Sequence, residues 1–117
     1  MQAIVTKPYR RPYQNPISVD AGTAVVPDFE KYSEVPGWVW CTAEDTRAGW
    51  VPRAYLAGSG CNWRVTCDYD AIELNIEPGE RLTIETEESG FYLAVAADGS
   101  RGWVPRDHVS LLTEGQV

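Results

Sequence analysis

Residues 49–53 read GWVPR, and residues 102–106 repeat the same five letters at an offset of 53 positions. An identical match of this length rarely arises by chance in a chain of 117 residues. Further upstream, the pattern V-T-x-x-Y occurs at residues 5–9 and again at residues 65–69. Because these landmarks follow the same order in both halves, the sequence predicts two copies of one structural unit.

The segments between the landmarks indicate β-strands and turns. Residues 82–85 and 91–96 alternate with a period of two, which is typical of half-buried strands, and no segment has a convincing 3.6-residue period. Residues 57–60 (AGSG) form a short stretch of small residues that is typical of a linker. We therefore predict an all-β chain with one domain at residues 1–57 and a second at residues 61–114.

Composition excludes several classes of function. The hydrophobic fraction of 44% is typical of a globular protein, and no apolar run is long enough for a membrane span. The net charge is −7, with four basic and eleven acidic side chains in residues 61–117, which disfavours nucleic acid and anionic membranes as partners. Three cysteines and the absence of a secretory apolar segment in residues 1–16 lead us to expect a cytoplasmic protein with reduced thiols.

The order of the landmarks resembles the Src-homology-3 (SH3) family. That family has an A-L-Y-D-Y strand, a long loop, a glycine turn, a strand with tryptophan, and a G-x-x-P-x-x-Y ending. The tandem form is similar to variant SH3 proteins of bacteria. The resemblance implies two five-stranded SH3-like barrels, and their small cores and short linker lead us to expect that the barrels pack together.

The resemblance also implies a binding site, because SH3 domains bind proline-rich segments between aromatic rings. In the first copy the matching positions hold Tyr9, Trp38, Pro52 and Tyr55, and we predict the main groove there. Arg10 and Arg11 follow the first strand, where the family usually has carboxylates, so we expect them at the rim of this groove. The second copy has a weaker set, which consists of Tyr69, Phe91, Pro105 and His108.

Other aromatic and cysteine side chains have simpler interpretations. Trp50 precedes Val-Pro in a strand, and we expect it to pack; Trp40 shares a strand face with Trp38 and either extends the groove or packs against the other copy. The three cysteines and His108 lack C-x-x-C spacing, so we predict no metal site, and no nucleophile with an orienting base is evident.

These observations lead to one functional prediction and two alternatives. We predict a non-catalytic adaptor without a cofactor, which binds a protein or peptide segment that can contain proline. The first alternative is a carbohydrate or cell-wall binding module, because exposed aromatic rings also stack on sugars. The second is a structural subunit of an assembly.

Overall fold

The computed structural model describes residues 1–112, and apart from two 3₁₀ turns its regular elements are all β-strands. No helix in this part of the chain has the length and apolar character needed to cross a membrane. The strands are β1 (Gln2–Val5), β2 (Ser18–Val19), β3 (Ala24–Asp28), β4 (Trp38–Ala43), β5 (Ala48–Pro52), β6 (Leu56–Ser59), β7 (Asn62–Val65), β8 (Tyr69–Asp70), β9 (Arg81–Glu88), β10 (Phe91–Ala96), β11 (Arg101–Pro105) and β12 (Val109–Leu111). The predicted all-β class is confirmed.

The strands form two compact units. Unit 1 consists of Met1–Pro12 together with the chain from Glu73 onward, and unit 2 consists of Tyr13–Ile72. Unit 1 contains an antiparallel sheet in the order β11-β10-β9-β1-β12, and unit 2 contains one in the order β5-β4-β3-β7-β6 with a small β2-β8 pair. The predicted five-stranded sheets are therefore confirmed.

The first strand of each half lies in the unit formed mainly by the other half. Strand β1 pairs with β9 and β12, whereas β7 pairs with β3 and β6. The compact units thus differ from the predicted domains at residues 1–57 and 61–114, and residues 113 and 114 lie outside the described residues. The packing of the two halves against each other stays a prediction.

A tight hairpin between β6 and β7 explains this strand exchange, in which the first strand of each half lies in the unit formed mainly by the other half. Residues 57–59 of the predicted linker belong to β6, and β6 pairs with β7 in the register Ser59↔Asn62, so only Gly60 and Cys61 connect the two strands. Gly60 has φ +59°, a left-handed conformation that suits a two-residue hairpin turn. Because the chain reverses at once after β6, β7 lies beside β6 in unit 2 and is not the first strand of a new barrel.

The two first strands fill equivalent places in the two cores. Val5 of β1 is buried in unit 1 beside Leu82, Tyr92 and Val104. Val65 of β7 is completely buried in unit 2. Both strands place a buried valine at the equivalent position, but Ala3 of β1 is completely buried, whereas Trp63 at the equivalent position of β7 is only partly buried.

Candidate functional site

Strands β4 and β5 place aromatic side chains on the outer face of the unit 2 sheet. Successive side chains of a strand point to opposite faces, and Val39 and Cys41 of β4 are buried while Trp38 and Trp40 are only partly buried. In the antiparallel register Trp38 lies opposite Pro52, and Trp40 lies opposite Trp50. The same face therefore carries three partly buried indoles and Pro52, which is completely buried.

The 3₁₀ turn Arg53–Tyr55 brings Tyr55 to this part of unit 2. The backbone N–H of Arg53 donates to the Gly37 carbonyl at 2.7 Å, which ties the turn to the start of β4. The N–H of Thr66 donates to the Tyr55 carbonyl at 2.8 Å, which ties the turn to the chain that follows β7. The turn thus connects the Trp38 strand to the segment that carries Tyr69.

Tyr69 packs against Tyr55 edge to face, with ring centroids 5.7 Å apart. The Tyr69 hydroxyl donates a hydrogen bond of 2.6 Å to the Trp50 carbonyl, which fixes the ring in a buried position. Unit 2 therefore contains the four aromatic and proline positions of the family pattern. We call Trp38, Pro52, Tyr55 and Tyr69 the unit 2 groove set.

Unit 1 repeats this arrangement with other side chains. Phe91 lies opposite Pro105, and the ring of His108 contacts the ring of Tyr9 edge to face at 5.4 Å. The Tyr9 hydroxyl donates to Glu73 Oε1 at 2.7 Å. Unit 1 thus has the smaller Phe91 in place of the indole and an imidazole in place of the phenol.

The predicted groove residues are divided between the two compact units. Tyr9, Arg10 and Arg11 belong to unit 1, whereas Trp38, Pro52 and Tyr55 belong to unit 2. Tyr69, which we predicted in the weaker second groove, takes the place expected for Tyr9. The missed signal was the Gly60 turn, because a hairpin there assigns the second V-T-x-x-Y segment to the first sheet.

The two arginines also have partners within unit 1. Arg10 forms an ion pair with Glu77. The backbone N–H of Arg11 donates to Asn75 Oδ1 at 2.8 Å, and its guanidinium donates to the Glu73 carbonyl at 3.3 Å. Neither arginine therefore belongs to the unit that carries Trp38.

The strand exchange also changes how the charged side chains are divided between the two units. Unit 2 has four basic and eight acidic side chains, and unit 1 has six basic and nine acidic. In chain order the acidic excess lies in residues 61–117, but both compact units are acidic. Unit 2 in particular gains Asp68 and Asp70 with the segment that carries Tyr69.

Burial raises the pKa of the Cys41 thiol to about 12, so this thiol is protonated at neutral pH and is not a nucleophile. Cys61 is exposed, Cys67 is partly buried, and neither forms a disulfide. Within residues 1–112, no three metal-ligating side chains come together as a candidate metal site.

Comparison with known families identifies the class of the second half. Residues 63–112 match the variant SH3 domain family, so a variant SH3 domain lies in this part of the chain. The match follows chain order and runs from β7 of unit 2 into unit 1. No curated protein and no solved structure matches the chain. The presence of an SH3 domain indicates a protein-interaction module.

Proposed function

We propose that unit 2 binds an extended, proline-containing segment of another protein at the unit 2 groove set. The observation that carries this proposal is that β4, the end of β5, the following 3₁₀ turn and the segment after β7 bring Trp38, Pro52, Tyr55 and Tyr69 into one unit. An extended proline segment is already close to its bound conformation, so it docks between aromatic rings at a small entropic cost.

The charge of unit 2 favours a basic segment. Complementary charge at a docking surface accelerates encounter and disfavours partners of like charge. Arg10 and Arg11, which we expected at the rim of the main groove, lie in unit 1. We therefore propose a segment with Lys or Arg beside its prolines.

Unit 1 is the weaker site in this proposal. Phe91 stands where unit 2 has Trp38, so unit 1 offers a smaller ring at this position. His108 stands where unit 2 has Tyr55. A non-catalytic, cytoplasmic adaptor remains the function that we propose for the whole chain, and its three unpaired cysteines support a reducing compartment.

The internal repeat supplies a matched experiment. Fluorescent P-x-x-P dodecapeptides with basic, neutral or acidic flanks are titrated into the wild type, Trp38→Ala and Phe91→Ala. We expect the basic peptide to bind best, and Trp38→Ala to weaken its binding about thirty-fold, because truncating a central interface tryptophan costs about 2 kcal/mol or more. Phe91→Ala changes the equivalent position of unit 1 and should bind the peptide as the wild type does.

Two further variants test the charge argument. Arg10→Glu combined with Arg11→Glu should change peptide affinity less than Trp38→Ala does, because neither arginine belongs to the unit 2 groove set. Equal binding by the wild type and Trp38→Ala, or a loss confined to Phe91→Ala, would contradict the proposed site.

A further inference from the structure

The two GWVPR segments end in arginines that have different partners. Arg106 begins the 3₁₀ turn after β11, and its guanidinium donates to Glu87 Oε2 at 2.8 Å. Arg53 begins the equivalent turn after β5, but no ion pair among residues 1–112 includes it, although unit 2 contains eight carboxylates. The repeat thus retains the arginine in unit 2 without its carboxylate partner.

The register of the strands explains this difference. In unit 1, Glu87 of β9 lies opposite Tyr92 of β10. The residue that corresponds to Tyr92 at the repeat offset of 53 positions is Val39. The register of β3 and β4, continued by one residue beyond its last ladder pair, places Phe29 opposite Val39. Phe29 therefore stands where unit 1 has Glu87, and the arginine of unit 2 meets an aromatic ring in place of a carboxylate.

Two aromatic rings position the Arg53 side chain. Arg53 Cζ lies 5.3 Å from the Phe29 ring centroid and 5.0 Å from that of Trp63, within the range of cation–π attraction. The two rings meet edge to face with centroids 5.0 Å apart, and the Trp63 indole N–H donates to the Gly60 carbonyl at 3.0 Å, which fixes the indole. Unit 1 has Ala3 at the position of Trp63, so it lacks the second ring as well.

The rings do not satisfy the hydrogen-bonding capacity of the guanidinium. Its five N–H groups form a planar fork that matches the two oxygens of a carboxylate, and aromatic rings supply no such oxygens. Arg53 is exposed and Phe29 is 51% exposed, so both lie on open surface. The contact with the rings restricts the long side chain before a ligand arrives, which lowers the entropic cost of binding. The Arg106–Glu87 pair shows that an arginine at this position of the repeat binds a carboxylate.

We propose that Arg53, positioned by Phe29 and Trp63, binds one Asp or Glu side chain of a partner protein segment, and that an apolar neighbour of this side chain packs on the exposed Phe29 ring. The acidic excess of unit 2 disfavours a run of carboxylates, so a single carboxylate beside an apolar residue fits the site. The site shares no residue with the unit 2 groove set and does not depend on peptide binding there.

NMR titration of the full chain at constant ionic strength tests the site. The probe is the pentapeptide Gly-Leu-Glu-Leu-Gly with both ends blocked, so that it has one carboxylate, and its glutamine counterpart is the control. The Trp63 indole N–H signal should shift saturably with the glutamate peptide only. Acetate supplies a carboxylate without an apolar neighbour, and it should bind more weakly than the glutamate peptide.

The two arginines of the repeat provide matched variants. Arg53→Gln should weaken binding of the glutamate peptide about ten-fold, because charge-assisted hydrogen bonds are lost. Arg53→Lys retains the charge but loses the planar fork, and it should weaken binding about three-fold. Arg106→Gln makes the same change at the equivalent position of unit 1 and should retain wild-type affinity.

Phe29→Glu restores in unit 2 the carboxylate that unit 1 has at this position. The new side chain should pair with Arg53, as Glu87 pairs with Arg106, and should abolish binding of the glutamate peptide. Phe29→Gln removes the ring without adding a charge, and it should weaken binding only about three-fold, because an exposed cation–π contact is worth about 0.5–1 kcal/mol.

Several results would overturn the carboxylate site. These are equal affinity for the glutamate and glutamine peptides, equal affinity for acetate and the glutamate peptide, equal binding by the wild type and Arg53→Gln, equal binding by Phe29→Glu and Phe29→Gln, or no saturable binding by the wild type. If the proline peptides fail to bind while the glutamate peptide binds as expected, the proposed groove function fails and the carboxylate site stands.

Discussion

Individual residues acquire different partners through the exchange of the first strands. Sequence reasoning placed Trp38, Pro52 and Tyr55 at one site, and they lie in one unit, because their positions depend on neighbouring strands β4 and β5. It assigned Tyr9 to the same site, whereas Tyr69 occupies that place. The reason is that V-T-x-x-Y occurs before both tyrosines, so the local sequence does not distinguish which unit each one completes.

Glu73 gives unit 1 a stability that depends on pH. Burial raises the pKa of Glu73, and the hydrogen bond from Tyr9 opposes this only in part. The folded protein therefore retains the proton at pH values where the unfolded chain has released it. The stabilising contribution is complete below the ordinary value of 4.5 and is lost as the pH rises through the folded-state pKa.

Glu73→Gln is the matching neutral variant, because its amide oxygen can still accept the Tyr9 hydroxyl. We expect its stability relative to the wild type to increase as the pH rises above 4.5. Urea unfolding at a series of pH values measures this difference, and Glu44→Gln, at an exposed position of unit 2, serves as the control. Parallel pH profiles for Glu73→Gln and the wild type would contradict the assignment.

Among the secondary-structure elements, the β6-β7 hairpin decides the topology. Sequence reasoning identified residues 57–60 as a linker because they are small, and small residues are typical of flexible connections. Glycine, however, also allows conformations and close approaches that a hairpin needs. Gly58 has φ +145°, and a Cβ added there would overlap the carbonyl oxygen of Asn62.

Gly58→Ala should therefore destabilise the protein by about 2 kcal/mol, because it adds both backbone strain and a steric overlap. Gly60→Asn is the matched control: Gly60 has φ +59°, a Cβ added there would meet no atom within 4 Å, and asparagine tolerates this conformation. Chemical denaturation of both variants measures the difference. An equal, small effect of the two substitutions would show that residues 57–60 act as a linker.

The two compact units are nested along the sequence and do not follow one another. Unit 2 is one continuous segment, and it interrupts unit 1 between Pro12 and Glu73. The repeat predicted the number of sheets and, apart from β1 and β7, the strands of each, since these follow from period-two patterning and the order of landmarks. It did not predict the nesting, because V-T-x-x-Y begins at the end of the first strand in both halves and the tight β6-β7 turn was not recognised.

The most direct test of this account is the folding of two fragments. Residues 13–72 contain every strand of the unit 2 sheet, whereas residues 1–57 lack β7 and include a β1 that belongs to unit 1. The fragment 13–72 should give a dispersed amide NMR spectrum and unfold cooperatively, and the fragment 1–57 should be largely unfolded. A folded 1–57 together with an unfolded 13–72 would contradict the strand exchange and, with it, the assignment of Tyr69 to the Trp38 site.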